Sequence, residues 1–114
     1  MSAIAVDDEL WAAVGDPSRR RVLDLLVTQG SASSSALAQH LPLTRQAVAK
    51  HLTVLDRVGL IEGRRQGREV RYVVQPDRLA EASRTLTTAA QQWDRRLAAI
   101  KRIAEAVHRE EQKR

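Results

Sequence analysis

The apolar positions of the chain fall into four short helical stripes, one alternating stretch and one long heptad seam. Asp7 and Asp8 stand ahead of Leu10, Trp11 and Val14, the pattern of a short capped helix that Gly15 closes. Asp16-Pro17 restarts the chain with an N-cap residue and a proline at the first helical position. Val22, Leu23, Leu25, Leu26 and Val27 supply the apolar face of this second helix, and Gly30 ends it. The serine-rich run from Ser31 to Ser35 reads as a loop whose last serines cap a third helix, marked by Leu37, Ala38 and Leu41.

Pro42 stops the third helix, and Pro42 to Thr44 make a tight connection to the stretch TRQAVAKHL. Thr44 is the expected N-cap of a fourth helix whose inner face is Val48, Leu52, Leu55 and Val58, ended by Gly59. Arg45, Gln46, Ala49, Lys50 and Thr53 occupy the opposite face. Two short helices joined by a tight turn, the second with a polar outward stripe, form a helix-turn-helix pattern. The next segment, LIEGRRQGREVRYVVQP, alternates at Val70, Tyr72 and Val74 around a tight turn at Gln66-Gly67, and so predicts a β-hairpin. Arg64, Arg65, Arg68 and Arg71 sit on or beside its tip, which makes the hairpin a basic wing.

From Asp77 the chain is helical almost to its end. Leu86, Ala90, Trp93, Leu97, Ile100, Ala104 and Val107 recur at alternating spacings of four and three, a seam of about three heptads. A helix this long has little core of its own to bury against, so the seam is expected to cover a symmetry mate. The expected fold is one domain over 1–114, mainly α with a small β-hairpin wing (α+β). Within it lie a winged helix-turn-helix core over 7–76 and a C-terminal dimerisation helix over 77–112.

Composition narrows the function classes. A chain of 114 residues has room for one modest core, and 43% hydrophobic with 29% charged residues is ordinary for a folded protein. There is no cysteine, which excludes a disulfide framework, a thiolate zinc site and a cysteine nucleophile. No apolar run approaches the roughly 20 residues that span a bilayer, and MSAIAVDDEL lacks the basic start of a secretory signal. A cytoplasmic protein with no membrane partner is expected. The net charge of +5 is unevenly placed. Residues 1–18 carry acids and no base, whereas seven bases lie between Arg45 and Arg71 against Asp56, Glu62 and Glu69. No P-loop, G-x-S-x-G or H-E-x-x-H motif is present, and an enzyme is not expected.

The polar stripe of the fourth helix has two readings, a solvated surface or a surface that enters DNA. Helix-turn-helix, wing and basic bias together favour DNA. Arg45 and Gln46 can bond base edges in pairs, while Lys50 and the Thr44 hydroxyl suit phosphates, with Thr53 on the same stripe. Arg64, Arg65 and Arg68 are the expected wing contacts, with Glu62 and Glu69 competing for some of them. Arg19, Arg20 and Arg21 read as a solvated face. His40 suits a bond to terminal carbonyls, and His51 borders the fourth helix, where packing or a phosphate contact is expected. His108 and Glu111 share a helical face and are the candidates for a metal pair, against exposure near a chain end. Trp11, Tyr72 and Trp93 make no stacking platform, and Trp93 reads as interface core.

The segments DPSRRRVLDLL and SSALAQHLPLTRQAVAKHLTVLDRVGLIEGRRQGREVRYVV resemble the ArsR/SmtB family of bacterial winged-helix regulators, from about Trp11 to the end of the long helix. The tail WDRRLAAIKRIAEA is similar to the subgroup without a cysteine metal motif. The resemblance implies a homodimer with both terminal helices at the interface, which adds Trp11 to the seam. It implies binding to an imperfect palindrome in double-stranded DNA, usually as a repressor, and carries the DNA role onto Thr44, Arg45, Gln46, Lys50, His51 and the wing arginines. One family metal site is built from Asp-x-His and a later His-x-x-Glu, completed across the dimer. Here Arg95-Arg96 follow Asp94, so the first histidine is missing, while His108 and Glu111 resemble the second half. The spacing from Asp94 is one residue longer than usual, a rotation of about 100°. No resident cofactor or metal is expected. Alternatives are a zinc- or nickel-responsive sensor of the same family, with Asp94, His108 and Glu111 as ligands, and a protein-interaction module that uses the long helix. A small ligand, a metal or a protein co-regulator would supply the signal.

Overall fold

A computed structural model describes residues 3–113; Met1, Ser2 and Arg114, the ends of the expected 1–114 span, lie outside the described residues. The element order is α1 (Ala3–Gly15), α2 (Pro17–Gln29), β1 (Ser31–Ser33), α3 (Ser34–His40), α4 (Arg45–Arg57), β2 (Ile61–Gln66), β3 (Glu69–Val74) and α5 (Pro76–Gln112). The chain divides into two compact units, one ending at Glu81 and one beginning at Ala82. The mainly helical fold with a wing is as the sequence predicts, and three elements differ in detail.

The first unit is a small helical core with a sheet on one edge. Leu10, Ala13, Val22, Leu26, Leu37, Val48, Leu52, Leu55, Leu60 and Ile61 are all buried. Each large side chain among them contributes about 1.5–3 kcal/mol by leaving water. Local signals hold the helix ends. The Asp16 carboxylate accepts from the Arg19 N–H at 3.1 Å, with Pro17 behind it. Ser33 and Thr44 cap α3 and α4 in the same way, accepting from Ala36 at 3.2 Å and Ala47 at 3.1 Å. At the far end of α4, Gly59 takes a φ of 82°. This left-handed step lets the Leu60 N–H reach the Leu55 carbonyl at 3.1 Å and the Gly59 N–H reach Asp56 at 2.9 Å.

The sheet has three strands in the order β1-β3-β2, all antiparallel. The hairpin turn is Gly67-Arg68, one residue later than Gln66-Gly67, because Gln66 pairs with Glu69 as the last rung. A φ of 62° at Gly67, with no positive φ at Arg68, matches a turn that needs glycine first. The third strand was not expected. Ser31–Ser33 is extended and pairs with Arg71–Val73, burying Ala32 on one face. Arg71 fastens it from the other side, donating to the Ser31 carbonyl and hydroxyl at 3.1 Å.

Helix α1 starts at Ala3, so Asp7 and Asp8 lie inside it rather than capping it. Of its residues from Asp8 on, Leu10 and Ala13 are buried, and Trp11 points outward at 43% exposure. Val27, expected on the apolar face of α2, is likewise exposed, because only Val22 and Leu26 fall at the centre of that face. Arg19 is not a solvated residue. Its guanidinium donates to the carbonyls of Ala12 and Ala13 at 2.9 and 3.3 Å, tying the end of α1 to the start of α2.

The Asp16 cap gives a pH prediction. Its carboxyl is held below the ordinary carboxylate range, first by the Arg19 N–H, against an opposing effect of desolvation; the Ser18 N–H and the nearby charges of His51 and Arg19 add to it. A depressed folded value stabilises the fold above the unfolded pKa of about 3.9, and that contribution is lost as pH falls through the folded value. Asp16→Asn keeps a capping oxygen but cannot titrate. Its melting temperature, followed by circular dichroism, should fall less than that of the unaltered protein on acidification below about pH 4. Equal slopes would show that the cap does not act through its charge.

Candidate nucleic-acid interface

α3, the turn Leu41–Thr44 and α4 form the helix-turn-helix, with α4 packed against both α2 and α3. Val48, Leu52 and Leu55 are fully buried on the inner face of α4, which leaves Arg45, Gln46, Ala49, Lys50 and Thr53 in solvent on the outer face. The stripe advances by one, three, one and three residues, so these side chains line up on one side of the helix. The Thr44 hydroxyl oxygen is occupied by the Ala47 N–H and its carbonyl by the Val48 N–H at 3.0 Å. The N–H groups of Arg45 and Gln46 have no helical partner and face outward from the positive end of the helix dipole, a place suited to a phosphate. Thr53 donates its hydroxyl proton to the Ala49 carbonyl at 3.0 Å, so it offers a base only its methyl group and lone pairs.

His51 does not share this surface. It is 8% exposed and packs inward, with Nδ1 buried and without a hydrogen-bond partner. Of its two expected roles, packing and phosphate contact, the fold supplies the first. His40 donates from Nδ1 to the Ala36 carbonyl at 2.8 Å, as its place at the helix end implied.

The wing arginines separate into three kinds. Arg71 is a fastener, bonded to Ser31 and 3.7 Å from Glu69. Arg64 is exposed and paired with Glu62 at 3.2 Å, an exposed pair that water and salt weaken and a phosphate can displace. Arg65 and Arg68 make no ion pair among the described residues. Arg68 also lines a groove with Ser33, Ser34, Ser35 and Tyr72, which joins the wing tip to the start of α3. Arg19, Arg71 and Arg78 were not separable from the other bases by sequence. Arg78 donates to the Val58 carbonyl at 3.0 Å beneath Gly59.

A family model described as a helix-turn-helix domain matches residues 14–64. The chain is 41% identical over 73 residues to the HTH-type transcriptional regulator CmtR of Mycobacterium tuberculosis, a stretch covering 64% of this chain and 61% of CmtR. Among solved structures, an ArsR-like transcriptional regulator from Rhodococcus sp. RHA1 is 42% identical, with 91% of this chain and 97% of that chain covered and a TM-score of 0.70. The chain belongs to the ArsR family of winged helix-turn-helix transcriptional regulators. A homodimeric winged helix-turn-helix DNA-binding domain of Mb0332 from Mycobacterium bovis shares the fold at 24% identity, with 77% of this chain and 82% of that chain covered and a TM-score of 0.64.

This ArsR-family chain carries the helix-turn-helix domain of its family. In its second unit the seam residues Trp93, Leu97, Ile100, Ala104 and Val107 are exposed along α5, as is Ala90, with Leu86 half-buried. Ile103, at 64% exposure, extends the apolar strip and was not in the expected seam. Within one chain the metal candidates do not fit a site. His108 and Glu111 are both exposed, and the His108 Nε2 faces the Gln112 amide at 3.1 Å. Asp94 lies about 21 Å away along the helix axis. Among the described residues, no three His, Asp or Glu side chains gather as a metal site would require.

The division of side chains gives a binding prediction. Arg45→Ala and Gln46→Ala should relax sequence preference by about 1–3 kcal/mol at the bases they face. Arg68→Ala should weaken specific and random duplexes alike. Competition anisotropy with both duplexes reads the difference, and equal losses from all three variants would remove the base-reading role. Arg71→Ala should lower the melting temperature, since it unfastens β1, whereas Arg68→Ala should not.

Proposed function

We propose that this ArsR-family chain acts as a homodimeric repressor of an imperfect palindromic operator, one recognition helix entering the major groove of each half-site. The observation that carries the reading is α4: a fully buried inner face holding an outer stripe of Arg45, Gln46, Lys50 and Thr53 in the same unit as the basic wing. Base reading falls to Arg45 and Gln46, and backbone contact to Thr44, Lys50, Arg64, Arg65 and Arg68. Support for the dimer comes from the uncovered apolar strip of α5, from outward-facing Trp11, and from the homodimeric assembly of the Mb0332 domain. Two-fold symmetry then asks for half-sites about one helical turn apart, roughly 34 Å. A protein spanning both would exclude other proteins from the same grooves, the simplest route to repression. In this reading no metal is needed for DNA binding. No helix is long and apolar enough to cross a membrane among the described residues.

Fluorescence anisotropy of labelled DNA from upstream of the chain's own gene tests the reading, with protein titrated in chelator and then in zinc or nickel. Binding to the upstream duplex should be on the order of 10³-fold tighter than to random duplex. It should weaken steeply between about 50 and 200 mM salt as counterions return to the DNA. Metal should leave it unchanged, and occupancy should reduce transcription from that promoter in vitro. Equal affinity for upstream and random DNA would overturn the operator reading. A large metal-dependent change would return His108 and Glu111 to consideration as ligands.

A further inference from the structure

The outer face of α4 has long side chains at its margins and short ones between them. Successive residues of a helix turn by about 100°. Ala49 and Thr53 therefore stand about 40° and 80° round the axis from Arg45, and Lys50 about 140° round. Arg45 and Lys50 bound the face, with Ala49, Thr53 and Gln46 between them, and all five are exposed. Ala49 and Thr53 are four residues apart, about 6 Å along the axis, so their methyl groups make one strip. Thr53 donates its hydroxyl proton to the Ala49 carbonyl at 3.0 Å. That bond leaves Thr53 with no hydrogen to give a base.

A surface of this shape suits one group on DNA. The short side chains let the helix approach the floor of a major groove, while Arg45, Gln46 and Lys50 reach out beside it. Among the base edges on that floor, the apolar group is the C5 methyl of thymine. Cytosine presents an amino donor instead, which would lose its water against Ala49 and find no acceptor there. Guanine offers two acceptors, and neither Ala49 nor Thr53 has a proton for them. The Thr53 oxygen keeps lone pairs that an amino group can use, and variants that separate its oxygen from its methyl distinguish that contact. A face made only for water has no need of threonine, which forms helices less readily than lysine, glutamate or glutamine.

Resting on the DNA reading above, we propose that Ala49 and Thr53 are specificity-determining residues that read thymine through its C5 methyl group. Their spacing of about 6 Å places two thymines about two base steps apart in each half-site. The contact selects by rejection as well as attraction, since a cytosine at either place leaves its amino group dry and unpaired.

The test begins with duplexes enriched from a random pool by the full-length chain, in which thymines are replaced one at a time by deoxyuridine. That change removes the methyl group and nothing else. In competition anisotropy, two replacements per half-site should each weaken binding about fourfold, the worth of one buried methyl group. Thr53→Ser keeps the hydroxyl bond and lacks the methyl. It should bind the thymine duplex about fourfold weaker and become indifferent to deoxyuridine at one of the two positions. Thr53→Val has a methyl and no oxygen, and should bind as the unaltered chain does and keep the deoxyuridine loss. Ala49→Gly, if circular dichroism shows it folded, should be indifferent at the other position; otherwise the Thr53 pair decides alone. An enriched sequence without thymine, or one in which deoxyuridine has no effect anywhere, would overturn the proposal and leave the DNA reading standing. Undiminished deoxyuridine losses in Thr53→Ser, or a Thr53→Val weakened more than Thr53→Ser, would likewise overturn it. No enriched sequence at all would overturn both.

Discussion

A helix of thirteen residues is barely stable by itself in water, and α4 is that length. Its shape depends on burying Val48, Leu52 and Leu55 against the packing that α2 and α3 provide. This burial fixes the rotation of the helix about its own axis, and the rotation decides which side chains reach solvent. If the inner stripe moved by one position, Arg45 and Lys50 would turn together by about 100° away from the side of the helix they now present to solvent. The caps at Thr44 and Gly59 then set where the helix starts and stops, and so how far its N-terminus projects. The functional surface is therefore a consequence of the core.

Positive charge, taken as a sum, describes the molecule poorly. Arg19, Arg71 and Arg78 spend their guanidinium groups on backbone carbonyls within the fold, closing a helix junction, a strand edge and a helix end. Arg64 is shared with Glu62. The bases left for a polyanion are fewer than the sequence total; within the first unit the exposed ones include Arg45, Lys50 and Arg57 on α4, Arg65 and Arg68 on the wing, and Arg20 and Arg21 on α2. Arginine suits both duties because its planar fork satisfies several acceptors from one side chain.

The helices were legible in the sequence wherever apolar spacing and a capping residue agreed, as at Asp16-Pro17 and Thr44 through Leu55. Heptad spacing likewise marked the long helix, since nothing but a helix keeps four-three alternation over so many residues. What sequence did not reveal has physical reasons. β1 is three residues of serine and alanine, too short and too weakly strand-forming to signal itself, and it is extended because β3 and Arg71 hold it there. Trp11 and Val27 are apolar yet outward, since apolar character says nothing about which neighbours fill the core. His51 looks like part of a polar run but turns inward, where only the packing of α4 could place it. The turn fell one residue late because register is set by the whole ladder rather than by one dipeptide.

The third strand changes what the wing is. A two-stranded hairpin standing alone is marginal in water and would swing about its base. Here β3 is stitched to β1, and Ser33, the last residue of β1, is also the cap of α3, the first helix of the helix-turn-helix. Helix α4 and the wing thereby belong to one packed unit, tied together through β1 and α3. On the proposed DNA reading such a body would behave as a caliper, rejecting duplexes whose groove width or local bend mismatches its opening without any base being touched.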